Sequence, residues 1–203
     1  MPEPAMSELF PATSMPDRNW WTELWPDPEA VLRQLGVQPD MTVLDLCCGD
    51  GYFTAPLAKL VSGRLYALDL DPAMIDRAKT EVARQGATVR QWICADARDV
   101  GKLLPEPVNY VLIANTFHGV PDQSGLARAV RSVLRPHGLF GIVNWHQLPR
   151  EQTTVLGHPR GPKTEMRMSP EAISAIVEPV GFRTAQIIML PPYHYGSVLE
   201  AEP

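Results

Sequence analysis

The chain has 203 residues, of which 45% are hydrophobic and 20% charged, and its net charge is −5; this is the profile of one soluble globular domain. The acidic balance makes nucleic acid an unlikely partner, since a broad phosphate footprint needs many Lys and Arg side chains. Three cysteines, with Cys47 beside Cys48, match neither a secreted disulfide framework nor a metal-ligand spacing, no apolar run reaches the roughly 18 residues of a membrane span, and residues 1–10 lack a signal pattern. The expectation is a cytoplasmic monomer or homodimer with no metal and no membrane partner.

Residues 1–34 read as an N-terminal arm and a Trp-rich helix, and residues 35–203 as the main domain. The arm, residues 1–19, is rich in Pro, Ser and Met and has no periodicity. Trp20, Trp21 and Trp25 then fall within six residues, as a lid over a site or as an aromatic staple. Asp27 and Pro28 signal a helix start, with Pro at the first helical position, and that helix stops at Gly36. An alternation follows. Residues 41–47 form a strand, Gly49-Asp50-Gly51 a tight turn, residues 53–61 a helix and residues 64–70 a second strand. Asp71-Pro72 caps a helix that ends near Gly86. Residues 88–94 form the third strand, 100–104 a short helix, and 108–114 the fourth strand. Residues 122–133 form a helix and 139–145 the fifth strand. Residues 147–168 make a loop rich in Pro and Gly. Ser169-Pro170 caps the last helix, which ends at Gly181, and residues 182–190 and 193–200 are two final strands.

Strands alternating with helices define an α/β fold, a Rossmann-like, doubly wound and mostly parallel seven-stranded sheet. The Pro191-Pro192 connector is too short for a parallel crossover, so the C-terminal strand runs antiparallel to its neighbour.

In such a sheet the ligand lies beyond the carboxyl ends of the strands. Three acids stand there. Asp45 lies in VLDLCCGDG before the glycine turn. Asp69 ends the second strand, 18 residues after Gly51, where an acid can accept both hydroxyls of a ribose. Asp96 follows the third strand and can accept from an exocyclic amine. Each acid alone could be a turn cap or a solvated side chain; together they suit an adenosine with an attached chain.

The runs VLDLCCGDGYFT, ALDLDPAMIDRAK and CADARD, with the C-terminal SPEAISAIVEPVGF, resemble the class I S-adenosylmethionine (SAM)-dependent methyltransferases of the small single-domain kind. The resemblance covers residues 35–200. It implies SAM as cofactor, with Asp45, Cys47, Gly49 and Gly51 holding the methionine end, Asp69 the ribose, and Leu70 against the adenine. It also implies Asp96 and Ala97 at the adenine edge and Asn115 near the amino acid part or the transferred methyl. Cys47 stands where the family often has glycine, and Asn109 where it often has an acid. A NAD site would want a third glycine, which Tyr52-Phe53-Thr54 does not supply, and would be repelled by Asp50.

The acceptor side rests on His118, His146 and His194, which topology brings to one edge of the sheet together with Asn144. His118 or His146 is expected to orient or deprotonate the acceptor. Trp20, Trp21, Asn144 and His194 are expected to contact it. Cys47 and Cys48 read as small turn residues rather than reactive thiols. Arg160, Lys163 and Arg167 read as a solvated loop cluster. The expected activity is methyl transfer to an unidentified small molecule. RNA or protein methylation and a non-catalytic SAM-binding module are the alternatives.

Overall fold

The computed structural model describes residues 18–203; of the arm expected over residues 1–19, residues 1–17 lie outside the described residues, and Arg18 and Asn19 already belong to the first helix. The described residues open with helix α1 (Arg18–Leu24), which carries Trp20 and Trp21 with Trp25 just beyond it, and α2 (Pro28–Gln34), whose N-cap Asp27 accepts from Ala30 N. Then come β1 (Val43–Leu46), α3 (Thr54–Leu60), β2 (Leu65–Asp69), α4 (Pro72–Arg84), β3 (Gln91–Cys94) and β4 (Val108–Ala114). α5 (Gln123–Val133) runs directly into β5 (Leu134–Trp145), and a two-stranded hairpin follows, β6 (Thr154–Val155) with β7 (His158–Pro159). The chain closes with α6 (Pro170–Val177), β8 (Phe182–Leu190) and β9 (His194–Ala201).

The large sheet has the order β3-β2-β1-β4-β5-β9-β8. Its first five strands are parallel, and β9 pairs antiparallel with both β5 and β8, as the short connector requires. β1, apart from Asp45, and most of β4 are buried and apolar, because helices cover both faces. One layer gathers α1, α2 and α3 around Leu32, Leu57 and Trp145. The other gathers α5 and α6 around Val111, Phe140 and Ile173. The two layers fix the sheet, and the sheet fixes where β1 to β5 deliver their ends.

Two segments differ from expectation. β5 begins at Leu134, five residues early, because Leu134 pairs with Val108 before a register shift, with His137 in the left-handed region at φ 61°. Residues 147–168 are not a plain loop. They hold the β6–β7 hairpin and two 3-10 turns, Arg150–Gln152 and Thr164–Met166. Buried Arg167 braces them, donating to Pro162 O, Thr153 Oγ1 and Arg160 O.

Candidate active site

The turn after β1 is built for close approach. Cys48 N donates to Leu68 O at 2.9 Å and Gly51 N to Cys48 O at 3.2 Å, so the turn folds back on β2. Gly51 has φ 86°, and a Cβ there would stand 2.7 Å from Ala78 Cα; the glycine lets α3 and α4 meet. Cys47 takes φ 61° and Asn115 φ 57°, both left-handed without being glycine. Such strained conformations gather at functional sites. Cys47 thus keeps the backbone shape that a glycine would take there.

The three acids come together around this turn. Asp45 is buried and accepts from Thr54 Oγ1 at 2.7 Å. Burial pushes its carboxyl up to about 7; the Thr54 hydrogen bond opposes this, and the neighbouring Asp69 adds to it. Asp69 accepts from Gly49 N at 2.8 Å and from Asp71 N at 2.9 Å, tying the first turn to the second. Each of its oxygens keeps a further lone pair. Burial raises Asp69 as well, against those backbone amides. Asp96 differs: Arg98 grips it through Nε and Nη2, and this partner holds its carboxyl below the usual range. Burial and the three carboxylates push the Cys47 thiol far up, consistent with a packing role.

A cavity of about 580 Å³ opens over these strand ends, within the ~300–1,000 Å³ common for small-molecule sites. Asp45, Cys47, Gly49, Asp69, Leu70, Asp96, Ala97 and Asn115 all line it. Gly51 does not; it sits one layer below, against Ala78. Leu70 is 40% exposed, an apolar edge facing the opening. The Oδ1 atom of Asn115 is buried with no hydrogen-bond partner among the described residues.

The far wall is aromatic and basic. Trp20, Trp21, Tyr52, Phe53 and Trp145 line it. Trp20 packs 6.0 Å from Trp145, and Trp21 stacks on Trp25 at 5.3 Å. Tyr52 donates its hydroxyl to the carbonyls of Trp21 and Trp25, and Arg18 pairs with Glu81 at 2.8 Å, so α1 is held to the domain at both ends. Arg150 and Arg160 also line the cavity. This corrects the solvated-cluster expectation: Arg167 is 3% exposed and Arg160 half-buried, while only Lys163 stays exposed. Sequence reasoning missed Tyr52, Phe53 and Arg150. The adjacent aromatics after the glycine turn were a signal for the first two, and nothing local singled out Arg150.

The histidines separate. His118 lines the cavity, and its Nδ1 lies 3.2 Å from Asn144 Oδ1. Burial lowers its pKa, with Asn144 opposing. The carboxamide oxygen requires Nδ1–H, which leaves the lone pair on Nε2. His146 does not line the cavity. Successive strand residues face opposite sides, so with Trp145 toward the cavity His146 turns away and packs 5.3 Å from Tyr195. His194 is fully buried, 4.1 Å from Trp145 and 4.5 Å from Trp25, and burial drives its pKa well down. It backs the aromatic wall rather than the cavity. Asn144 is buried too and reaches the site only through His118.

At its β1–β3 end the cavity therefore offers acceptors: two carboxylates without a cationic partner among the described residues, Asp45 and Asp69, and the Asn115 carbonyl. Such an end suits a ligand that is cationic and rich in donors, and repels a pyrophosphate. Sheet order, glycine turn and acid-bearing strand ends together define a Rossmann-like methyltransferase fold. A family profile described as a methyltransferase domain matches residues 43–138. A SAM-dependent methyltransferase from Aquifex aeolicus superposes with a TM-score of 0.75 at 25% identity, covering 89% of this chain and 92% of that one. A 2-phytyl-1,4-naphtoquinone methyltransferase from Trichormus variabilis is 26% identical over 73% of this chain and 63% of its own length. A demethylmenaquinone methyltransferase from Lactobacillus johnsonii is 28% identical over 71% of this chain and 57% of its own. The chain thus spans about six tenths of these two curated relatives. All of these likenesses are to methyltransferases, and the chain is similar to the SAM-dependent ones in sequence and in fold.

Proposed function

We propose that the protein transfers the methyl group of SAM to a small-molecule acceptor. The observation that carries this reading is the cavity itself, with acidic strand ends at one side and an apolar aromatic chamber at the other. SAM has the charge and donors the acidic end asks for. Asp69 takes the ribose hydroxyls, Leu70 lies against the adenine, and Asp96 and Ala97 meet its edge. Asp45 and the turn from Cys47 through Gly49, supported by Gly51, hold the methionine end, with Asn115 Oδ1 accepting from it. When bound, SAM supplies a methyl group made electrophilic by its sulfonium.

The chain's own contribution is placement and proton control. Trp20, Trp21 and Trp145 exclude water from the acceptor and hold it near the end of β4, where positioning contributes much of the rate. His118 Nε2 takes the acceptor proton, and Asn144 keeps the ring in the tautomer that can do so. The relatives named for naphthoquinone and menaquinone substrates support a flat ring as the acceptor.

Calorimetric titration with SAM, S-adenosylhomocysteine (SAH) and NAD tests the cofactor. SAM and SAH should bind and NAD should not, and Asp69→Ala should weaken SAM by about a hundredfold through two charge-assisted hydrogen bonds. Binding of NAD without SAM would overturn the reading.

A further inference from the structure

The arginines of the wall opposite the acids form no ion pair among the described residues, the nearby Glu151 included. Arg150, Arg160 and Arg167 lie within 18 residues of sequence, and none has a carboxylate within 4.0 Å among the described residues. Surface arginines can be solvated and unpaired, but these are placed. Arg160 stacks its guanidinium 5.7 Å from the Trp20 ring, and its Nε is buried without a partner among the described residues. Arg150 lines the cavity, and its Nε donates to Gly161 O at 3.1 Å. Arg167, stacked 5.1 Å from the Trp145 ring, holds the Arg160 carbonyl from behind and keeps a buried, unpartnered Nη1.

The backbone is shaped to bring them there. Gly161 has φ 86°, and a Cβ on it would stand 2.8 Å from the Trp145 ring, so the loop lies directly on that indole. The two signs of charge are also well apart. Asp96 follows β3 and Trp145 ends β5, four strand intervals across the sheet, or about 19 Å at the ~4.8 Å strand spacing. The acids and the arginines therefore stand at opposite ends of one cavity. A ligand that satisfies the arginines must reach over Trp20 and Trp145, an apolar floor that favours a flat ring. Guanidinium groups recognise planar anions, carboxylates above all.

We infer that the Trp20–Trp145 floor with Arg150 and Arg160 forms the acceptor subsite and selects a flat, apolar molecule bearing a carboxylate or similar planar anion. The anion is the handle and not the atom that is methylated. This inference rests on the methyltransferase reading of the cavity, and its test separates the two.

Equilibrium dialysis of 2-naphthoate and its uncharged counterpart 2-naphthamide, with and without SAH, against the full chain provides that test. Naphthoate should bind about tenfold tighter than the amide or better, as one charge-assisted pair allows. Arg160→Gln and Arg150→Gln should each erase most of that preference, while SAH affinity, measured on the same variants, stays as in the unaltered protein. Equal binding of acid and amide, binding of neither, or a preference that survives both substitutions would overturn the inference. So would loss of SAH affinity in Arg160→Gln, because that guanidinium would then serve the cofactor. Failure of SAH to bind the unaltered chain would sink the cofactor reading alone, leaving the naphthoate comparison to stand by itself.

Discussion

The two ends of the cavity are made in different ways. The acidic end is assembled from the tips of β1, β2 and β3, each locked by neighbours in a parallel sheet, and from a turn whose backbone closes on itself. The basic, aromatic end is assembled from α1, tied to the turn before α3 by the Tyr52 hydroxyl and packed on Trp145, and from the loop after β5, braced by the buried Arg167 guanidinium and laid on Trp20 through Arg160. The first kind of construction fixes a common ligand with little freedom. The second can be rebuilt without disturbing the sheet, so the ligand it meets can change while the acidic end stays as it is.

The comparison can be broken first at the histidines, where the largest effect is expected. His118→Ala should lower kcat by roughly a hundredfold to a thousandfold with a cognate acceptor, as loss of a general base does, and should leave SAH affinity unchanged. His146→Ala should leave both within about a factor of two. Equal losses from the two would show that cavity placement does not distinguish them.

A smaller effect belongs to the packing beneath the acidic end. Gly51→Ala combines left-handed strain with a 2.7 Å approach to Ala78 and should cost about 3 kcal/mol in urea denaturation. Gly86→Ala, also left-handed at φ 66° but with nothing within 4 Å, should cost only about 1 kcal/mol. Equal costs would mean that α3 and α4 yield easily and that the turn is softer than its geometry implies.

The smallest effect is a pH dependence confined to the acidic end. Asp45 holds its proton up to about 7 in the free protein, whereas an unfolded Asp loses it near ~4. The folded state therefore binds the extra proton between these values, and the stability of the ligand-free protein should fall as pH rises through that window. SAM favours the ionised form, so its affinity should rise with pH through about 7 with release of a proton. Thr54→Val removes a hydrogen bond that favours the ionised form and should move this rise to higher pH, by calorimetry in buffers of different ionisation heat. A flat affinity across that range would separate Asp45 from the cofactor.

Most of the sheet was readable because β1, β4 and β8 are apolar or bounded runs with turn residues at their ends, and because Pro191-Pro192 excludes a crossover. The acids were readable for the same reason: a strand end is a position in sequence and in space at once. The start of β5 was not, since Arg135-Pro136-His137-Gly138 looks like a turn and pairing with Val108 is a tertiary event. His146 and His194 were expected at the edge near the cofactor, but His146 faces away from Trp145, and His194, which shares the face of Trp145, lies buried against that indole and Trp25. Arg150 and Arg160 were hidden because a loop rich in Pro and Gly carries no period from which to read an inside.

The crowding of carboxylates around the glycine turn also sorts the three thiols. Cys47 and Cys48 are held protonated by burial and by Asp45 and Asp69, and neither offers a thiolate to an alkylating reagent. Cys94 is exposed at the tip of β3, in register with Asp69. A maleimide dye would thus attach at a single point beside the acidic end of the cavity without any engineered cysteine, giving the natural chain a built-in optical reporter of what its cavity holds.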